Sequence, residues 1–295
     1  MRHLAVSKTY KLFIGGAFPR SESGRTYQAR DSKGKFIANA ALASRKDLRD
    51  TVVAARKGFA AWSKATAYNR GQVIYRIAEM LEARRTEFAE LIIISSGASS
   101  RDATAEAAAS VDRLVHYAGW TDKLAAVMGS ANPVSSPFFS YSAPEATGVV
   151  GILAPSGAPL LGLISAIAPV ITGGNACVVI AAEQDPCVAI TFAEVIATSD
   201  VPAGVINILT GRISALAPHL AAHADVNALD LTGADAELRK SLEQAAAQTV
   251  KRVYVPKGQP DFSSGPGIAR LRAFLEIKTV WHPTGAISLS GGTAY

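Results

Sequence analysis

The pattern of apolar and polar positions predicts a helical first third of the chain. Ser44 can cap a helix, Asp47 stands three positions later where its carboxylate can reach back, and Leu48 opens an apolar stripe at helical spacing that continues to Trp62. Further helical runs are predicted over 70–84, 86–96 and 101–127. The sequence therefore predicts an N-terminal helical layer.

The middle of the chain changes rhythm, because short apolar runs bounded by Gly or Pro now alternate with helical stretches. The predicted strands are 148–153, 176–181, 205–210, 228–231 and 251–255, and the predicted helices are 159–171, 186–198, 213–222 and 236–248. Buried strands alternating with helices indicate an α/β fold, with a Rossmann-like parallel sheet covered by helices on both faces.

The last part of the chain predicts a linker followed by a strand. Residues 256–267 are too rich in Pro and Gly for regular structure. Residues 274–281 then alternate apolar with polar side chains over a strand length, which predicts a half-buried strand. Such a terminal strand needs a sheet edge to pair with, either in the chain or outside it.

Composition narrows the class of protein. A chain of 295 residues with 49% hydrophobic residues can bury a substantial core. The net charge is +6, but Lys and Arg are dispersed, which favours a solvated basic surface over a nucleic-acid interface. The most apolar stretch, 148–174, is interrupted by Pro155, Pro159 and Pro169, so no membrane span is expected. Residues 1–10 lack a signal-peptide run, and two cysteines favour a reducing compartment, so we expect a cytoplasmic protein.

Isolated reactive side chains give no strong candidate. His219 and His223 have helical i, i+4 spacing but lack the acid of a zinc protease motif, so surface histidines are favoured and no metal site is expected. Cys187 follows Pro186 at a predicted helix start, where the helix dipole could lower its pKa, but no histidine base is evident. Cys177 is interpreted as a core strand residue.

Several segments together resemble the aldehyde dehydrogenase superfamily in order and spacing. They are 12–16, 54–62, 148–159, 174–186, 201–211 and the Thr232-Gly233 turn. Residues 277–281, Ile-Lys-Thr-Val-Trp, resemble the family's C-terminal oligomerisation strand. The resemblance implies a truncated member. Its parts would be a degenerate NAD-binding-type domain over 1–255 with an oligomerisation segment near 136–147, a linker over 256–270 in place of the catalytic domain, and an oligomerisation strand and tail over 271–295.

The resemblance also implies that the chemistry is lost. Complete members attack an aldehyde with a cysteine thiolate, pass hydride to nicotinamide and use a glutamate to activate water. The cysteine belongs to the missing domain, and Pro256 stands at the position of the glutamate. Gly157 stands where the family has an asparagine that donates to the oxyanion. No catalytic residue is therefore predicted.

The family's cofactor positions are only partly retained. Ile180 replaces the lysine that contacts the ribose, and Leu238 replaces the second glycine of the pyrophosphate turn. Asp235 and Glu237 add negative charge there and can cap the helix instead. The vestigial cofactor-binding positions are Glu183, Gly211, Thr232 and Gly233. Glu183 could accept ribose hydroxyls or could be a helix-entry carboxylate near Pro186.

The leading hypothesis is a pseudoenzyme that acts as an oligomerising or regulatory subunit. It would form homo-oligomers, or hetero-oligomers with a full-length aldehyde dehydrogenase, through segments 138–146 and 274–282. The contact residues are expected to be Phe274, Ile277, Thr279, Val280 and Trp281. No cofactor is expected. The alternatives are an NAD(P)-binding component whose catalysis depends on a partner, and a fragment with no independent role.

Overall fold

The computed structural model describes residues 8–135, 137–258 and 260–284. Its strands are β1 (Thr9–Tyr10), β2 (Thr26–Arg30), β3 (Phe36–Ala41), β4 (Ser130–Asn132), β5 (Phe138–Ala146), β6 (Val149–Leu153), β7 (Ala176–Ile180), β8 (Ile206–Leu209), β9 (Ala228–Asp230), β10 (Arg252–Tyr254) and β11 (Leu275–Pro283). Its helices are α1 (Arg45–Trp62), α2 (Ala67–Glu82), α3 (Arg85–Ser96), α4 (Ser100–Ala118), α5 (Leu124–Met128), α6 (Leu161–Thr172), α7 (Pro186–Ala197), α8 (Ile213–Ala222), α9 (Ala236–Ala247) and α10 (Ala269–Ala273).

The central sheet is parallel, with the strand order β10-β9-β6-β7-β8. Every residue of β6, β7, β8 and β9 is buried, which explains why these segments read as continuous apolar runs. This confirms the predicted α/β fold with a parallel sheet.

Helices cover both faces of this sheet. Val150 and Ile152 of β6 face α6 and α7, whereas Val149 and Leu153 face α1, α8 and α9. Helices α2, α3 and α4 form an outer layer over α6 and α7. The N-terminal helices therefore do not form one layer, because α1 lies on the opposite face of the sheet from α2–α4.

Helix α6 lies between the outer layer and the sheet, and all twelve of its residues are buried. The carboxylate of Glu106 on α4 accepts hydrogen bonds from the backbone amides of Leu160 and Leu161 at its start. Near its end, Trp62 Nε1 donates to Ile171 O at 2.9 Å. Its two ends are thus tied to the neighbouring helices, which fixes the helix that follows β6.

Helices α1 and α2 each begin directly after a residue whose side chain caps the helix. The predicted capping box of α1 is present, since Ser44 Oγ accepts from Asp47 N and Asp47 Oδ2 accepts from Ser44 N. Helix α2 begins earlier than predicted because Thr66 caps it by accepting from the amide of Asn69.

The predicted continuous helix over 101–127 is wrong. Helix α4 ends at Ala118, and α5 follows as a separate short helix. Gly119 is the C-cap residue, and the hydroxyl of Thr121 donates to the carbonyl of Ala118 in the turn. The alanine-rich apolar pattern continues in the sequence beyond residue 118, although the helical backbone ends there.

Two smaller sheets accompany the central one. The first, with order β1-β3-β2, was not predicted, because its strands are two to six residues long and carry little periodicity. The second has the order β11-β5-β4 and is antiparallel. The terminal strand thus finds its pairing partner within the chain, on β5.

The terminal strand differs from its prediction in two respects. It starts at Leu275, while Phe274 precedes it, is fully buried, and has its carbonyl bonded to Asn175 Nδ2 at 2.9 Å. Phe274 is therefore a core residue and is not available to a partner subunit. After Leu275 the strand is mostly exposed rather than half-buried. The helical turn α10 spans the predicted boundary between linker and strand at residue 270.

No helix in the described ranges is both long and apolar enough to cross a bilayer.

Candidate functional site

The candidate site lies at the carboxyl ends of the parallel strands, where ligands bind in open α/β sheets. The chain segments that leave β6, β7, β8, β9 and β10 at this edge carry Gly157, Glu183, Gly211, Thr232 and Pro256. The structure therefore gathers the positions selected from the sequence at one edge of the sheet.

Glu183 is held by the start of α8. Its Oε2 accepts from Arg212 Nη1 at 2.8 Å, and its Oε1 accepts from the amide of Ile213 at 2.7 Å. Glu183 is thus a helix-entry carboxylate, as one of its two interpretations held, but the helix is α8 and not the one at Pro186. Ile180 is fully buried at the end of β7. Ile180 has no polar side chain, and both carboxylate oxygens of Glu183 already accept a hydrogen bond within the chain.

The Thr232-Gly233 turn packs directly against the end of β6. Gly233 donates its amide to Leu153 O at 3.0 Å, and a Cβ on Gly233 would lie 2.2 Å from Ala154 O, so no larger residue fits without movement. Thr232 Oγ1 lies 2.5 Å from Asp230 Oδ1 and accepts from Arg270 Nη2 at 2.9 Å. The turn is engaged with the protein itself.

The start of α9 is capped by its own side chain. Asp235 Oδ1 accepts from the amide of Leu238 at 2.8 Å, and the Leu238 side chain packs on the core beneath the sheet. Gly211 has a φ of +149°, and an added Cβ would lie 3.2 Å from Ala43 N. Glu183 and Thr232, the two of the four vestigial positions that carry polar side chains, are thus already bonded within the chain, so a bound nucleotide would have to share or displace these bonds.

Gly157 and Pro256, where the resemblance implies that catalytic residues are replaced, carry no polar side-chain atom. Gly157 is exposed with a φ of +94° and carries no donor side chain, and Pro256 follows β10 beside the linker. Burial raises the pKa of Cys177 to about 12 and that of Cys187 to about 11. Both thiols are therefore neutral near pH 7, and the helix start at Pro186 does not lower the pKa of Cys187.

No cluster of three or more metal-ligating side chains occurs within the described part of the chain.

Two buried arginines at the same edge were not found from the sequence. Arg270 of α10 pairs with the fully buried Asp230 at 3.2 Å and lies over the ring of Tyr254. Arg113 of α4 donates to Ser165 Oγ on α6. It also donates to two linker carbonyls, Phe262 O at 2.7 Å and Ser264 O at 3.1 Å. The linker is thus fastened to the edge of the sheet, through contacts far apart in sequence that carry no local signal.

Comparisons with known proteins agree on one family. The Aldehyde dehydrogenase family model matches residues 18–259. The chain is 30% identical over 266 residues to the mouse cytosolic 10-formyltetrahydrofolate dehydrogenase, covering 88% of this chain and 29% of that protein. It is 33% identical over 254 residues to cytosolic aldehyde dehydrogenase 1 of Elephantulus edwardii, covering 84% and 50% respectively.

Solved structures give the same result. The HpcC protein of Thermus thermophilus superposes with a TM-score of 0.79 at 30% identity, covering 83% of this chain and 47% of that one. The NAD+ complex of an aldehyde dehydrogenase from Bacillus cereus superposes with a TM-score of 0.78 at 26% identity, covering 83% and 50%. The chain spans about half the length of such relatives, or less.

Proposed function

Because the chain belongs to the aldehyde dehydrogenase family, we propose that it is a non-catalytic member that acts by assembling with a second copy of itself. The assembly would use the β4–β5–β11 sheet, which we call the terminal sheet. Membership confirms the resemblance drawn from the sequence, whereas the pseudoenzyme role rests on the arguments below.

The observation that carries the proposal is the exposed apolar surface of the terminal sheet. Ile277 and Trp281 are each 55% exposed, and Phe138 packs edge-on against Trp281 on the same face. Phe139 is 52% exposed on the opposite face. Monomeric proteins rarely leave such groups of large apolar side chains in water, so a covering partner is expected.

The edge of the terminal sheet supports the same conclusion. β11 pairs with β5 along nine positions, and its other edge is unpaired within the described residues. A long unpaired strand edge is a template for pairing with another chain. Thr279 Oγ1 lies 2.8 Å from Ser142 Oγ, which helps to fix the register of β11 on β5 and so the shape of this edge.

The non-catalytic part of the proposal rests on the candidate site. Neither described thiol is ionised near neutral pH, Pro256 cannot accept a proton, and Gly157 cannot donate to an oxyanion. We expect no aldehyde-dependent formation of NADH by the purified protein. Such activity, in a preparation free of other dehydrogenases, would overturn this part.

The alternative is an NAD(P)-binding component that supplies the cofactor site to a partner. The matched Bacillus cereus structure is an NAD+ complex, and this alone favours it. Calorimetric titration with NAD+ and NADP+ separates the two hypotheses. We expect no binding at millimolar nucleotide, and micromolar affinity would establish the alternative.

Assembly is tested by light scattering after size exclusion. The wild-type protein is expected to be a dimer or larger, and Ile277→Glu with Trp281→Glu should shift it to monomer, because two charges would enter the contact. Ile94→Glu, on the exposed face of α3, is the matched control and should leave the mass unchanged. A monomeric wild type would sink the proposal. A mass gained only on co-expression with a full-length relative would replace self-assembly by a hetero-oligomer.

A further inference from the structure

A cavity of about 260 Å³ lies between the linker and the edge of the central sheet. Its cationic lining residues are Arg113, Lys257 and Arg270, and Asp261 is the acidic one. The cavity adjoins the vestigial positions, since Pro256 lines it and Arg270 donates to Thr232, but it lies apart from the terminal sheet.

The charges around the cavity do not balance. Arg270 is paired with Asp230, and Asp261 is exposed, with its carboxylate accepting from the amide and hydroxyl of Ser263. Counting Asp230, three cations face two carboxylates, which leaves one positive charge. Arg113 is 8% exposed, and among the residues described it takes part in no ion pair. A buried cation without a counter-ion is costly, so an anion here would be stabilising.

The hydrogen bonds of Arg113 leave room for such an anion. A guanidinium has five N–H donors in a planar fork. Three of them are used on neutral acceptors, namely Ser165 Oγ, Phe262 O and Ser264 O, so two remain without a described protein partner. Burial and the nearby charge of Arg270 lower the pKa of Arg113, in keeping with a site that lacks negative charge.

We propose that this cavity binds a small oxyanion, either a carboxylate of a few carbon atoms or inorganic phosphate, on Arg113 with Lys257 at the mouth. The remaining donors of Arg113 are Nε–H and one Nη1–H, which lie on different edges of the guanidinium, so each can donate to one oxygen of an anion beside the positive charge. The volume of about 260 Å³ falls just below the roughly 300–1,000 Å³ of pockets for drug-sized ligands, which suits a small anion. The bound anion would hold the linker against α4 and α6, since the residue that binds it also fastens the linker.

The test is thermal unfolding of the full chain at pH 7 in increasing succinate or phosphate, with chloride matched in ionic strength and with uncharged succinamide as controls. A ligand that binds only the folded state raises the unfolding temperature in a saturable way. We expect such a rise with succinate, with phosphate or with both, and none with either control. The anion that raises the unfolding temperature shows whether the ligand is a carboxylate or a phosphate. No rise with either anion at millimolar concentration would refute the proposal.

Variants locate the site. Arg113→Met should weaken the binding by about tenfold or more, because it removes the remaining N–H donors and the positive charge. Arg101→Met, an exposed arginine on the same helix, should bind like the wild type. Lys257→Met lies at the exposed mouth and should weaken binding by a smaller factor, and it serves as the test if Arg113→Met does not fold. If both variants bind the anion with wild-type affinity, the anion binds elsewhere and the inference is overturned. If Arg113→Met is unfolded, wild-type affinity in Lys257→Met alone has the same consequence.

Discussion

Replacing Arg270 by methionine should destabilise the protein strongly, because it would leave the carboxylate of Asp230 buried without its cation. Asp230 is fully buried and Arg270 is 8% exposed, with the two charges 3.2 Å apart. At an effective dielectric constant of about 20, Coulomb's law gives an attraction of about 5 kcal/mol at this distance. Removal of one partner of a buried pair typically costs about 3–5 kcal/mol. With an unfolding entropy of about 2.1 cal/mol/K per residue, this loss lowers the unfolding temperature by about 5–8 °C.

The assay is urea unfolding followed by far-UV circular dichroism and tryptophan fluorescence. Asp230→Asn added to Arg270→Met should recover most of the loss, because the amide keeps an oxygen for Thr232 and carries no charge. Arg272→Met, on the exposed side of α10, is the control and should change stability by no more than about 0.5 kcal/mol. The reasoning fails if Arg270→Met unfolds within about 1 kcal/mol of the wild type, or if the double variant is no more stable than the single one.

Further predictions concern pH, packing and thiol reactivity. Burial raises the pKa of Asp185 to about 6, so its contribution to stability is present below about pH 4 and is lost as the pH rises through 6. Asp185→Asn should flatten this pH dependence of the unfolding temperature. Melts of the variant that show the wild-type pH profile would contradict the prediction. Gly58→Ala should lower the free energy of unfolding by about 1–3 kcal/mol in urea melts, since its Cβ would lie 2.4 Å from a backbone carbon of the loop before β8. Gly119→Ala, whose Cβ would meet nothing closer than 3.4 Å, is the control and should lower it less. Equal losses of stability in the two variants would refute the packing argument. Cys177 and Cys187 should react with a thiol reagent only after unfolding, and rapid labelling of the native protein would show that the thiols are accessible.

The central sheet could be predicted because its signal is local. Runs such as 176–181 are continuous in apolar residues and are bounded by Gly or Pro, and α8 was predicted with the bounds that it has. Each of these elements is defined by its own sequence, since a strand that is buried on both faces must be apolar throughout.

The remaining features depend on contacts between distant residues. Glu183 could be recognised as a helix-entry carboxylate, but the helix that it caps starts thirty positions later, at Ile213. Arg113 and Arg270 carry no sequence pattern, because their acceptors lie on β9, α6 and the linker. The wide exposure of the terminal strand after Leu275 was also missed, since alternation along a strand does not say whether one of its faces is covered within the chain.

The complete burial of α6 couples the folding of the central sheet to that of the outer helices. No face of this helix is exposed to solvent, so the sheet cannot bury it without the outer helices, and those helices cannot bury it without the sheet. Neither half is therefore a viable intermediate on its own, and the two should melt in a single cooperative transition, with calorimetric and van't Hoff enthalpies in agreement. A ribosome making this chain would have to release residues well past β7 before the helix is sheltered, which marks the nascent polypeptide as a client for chaperones that bind apolar segments.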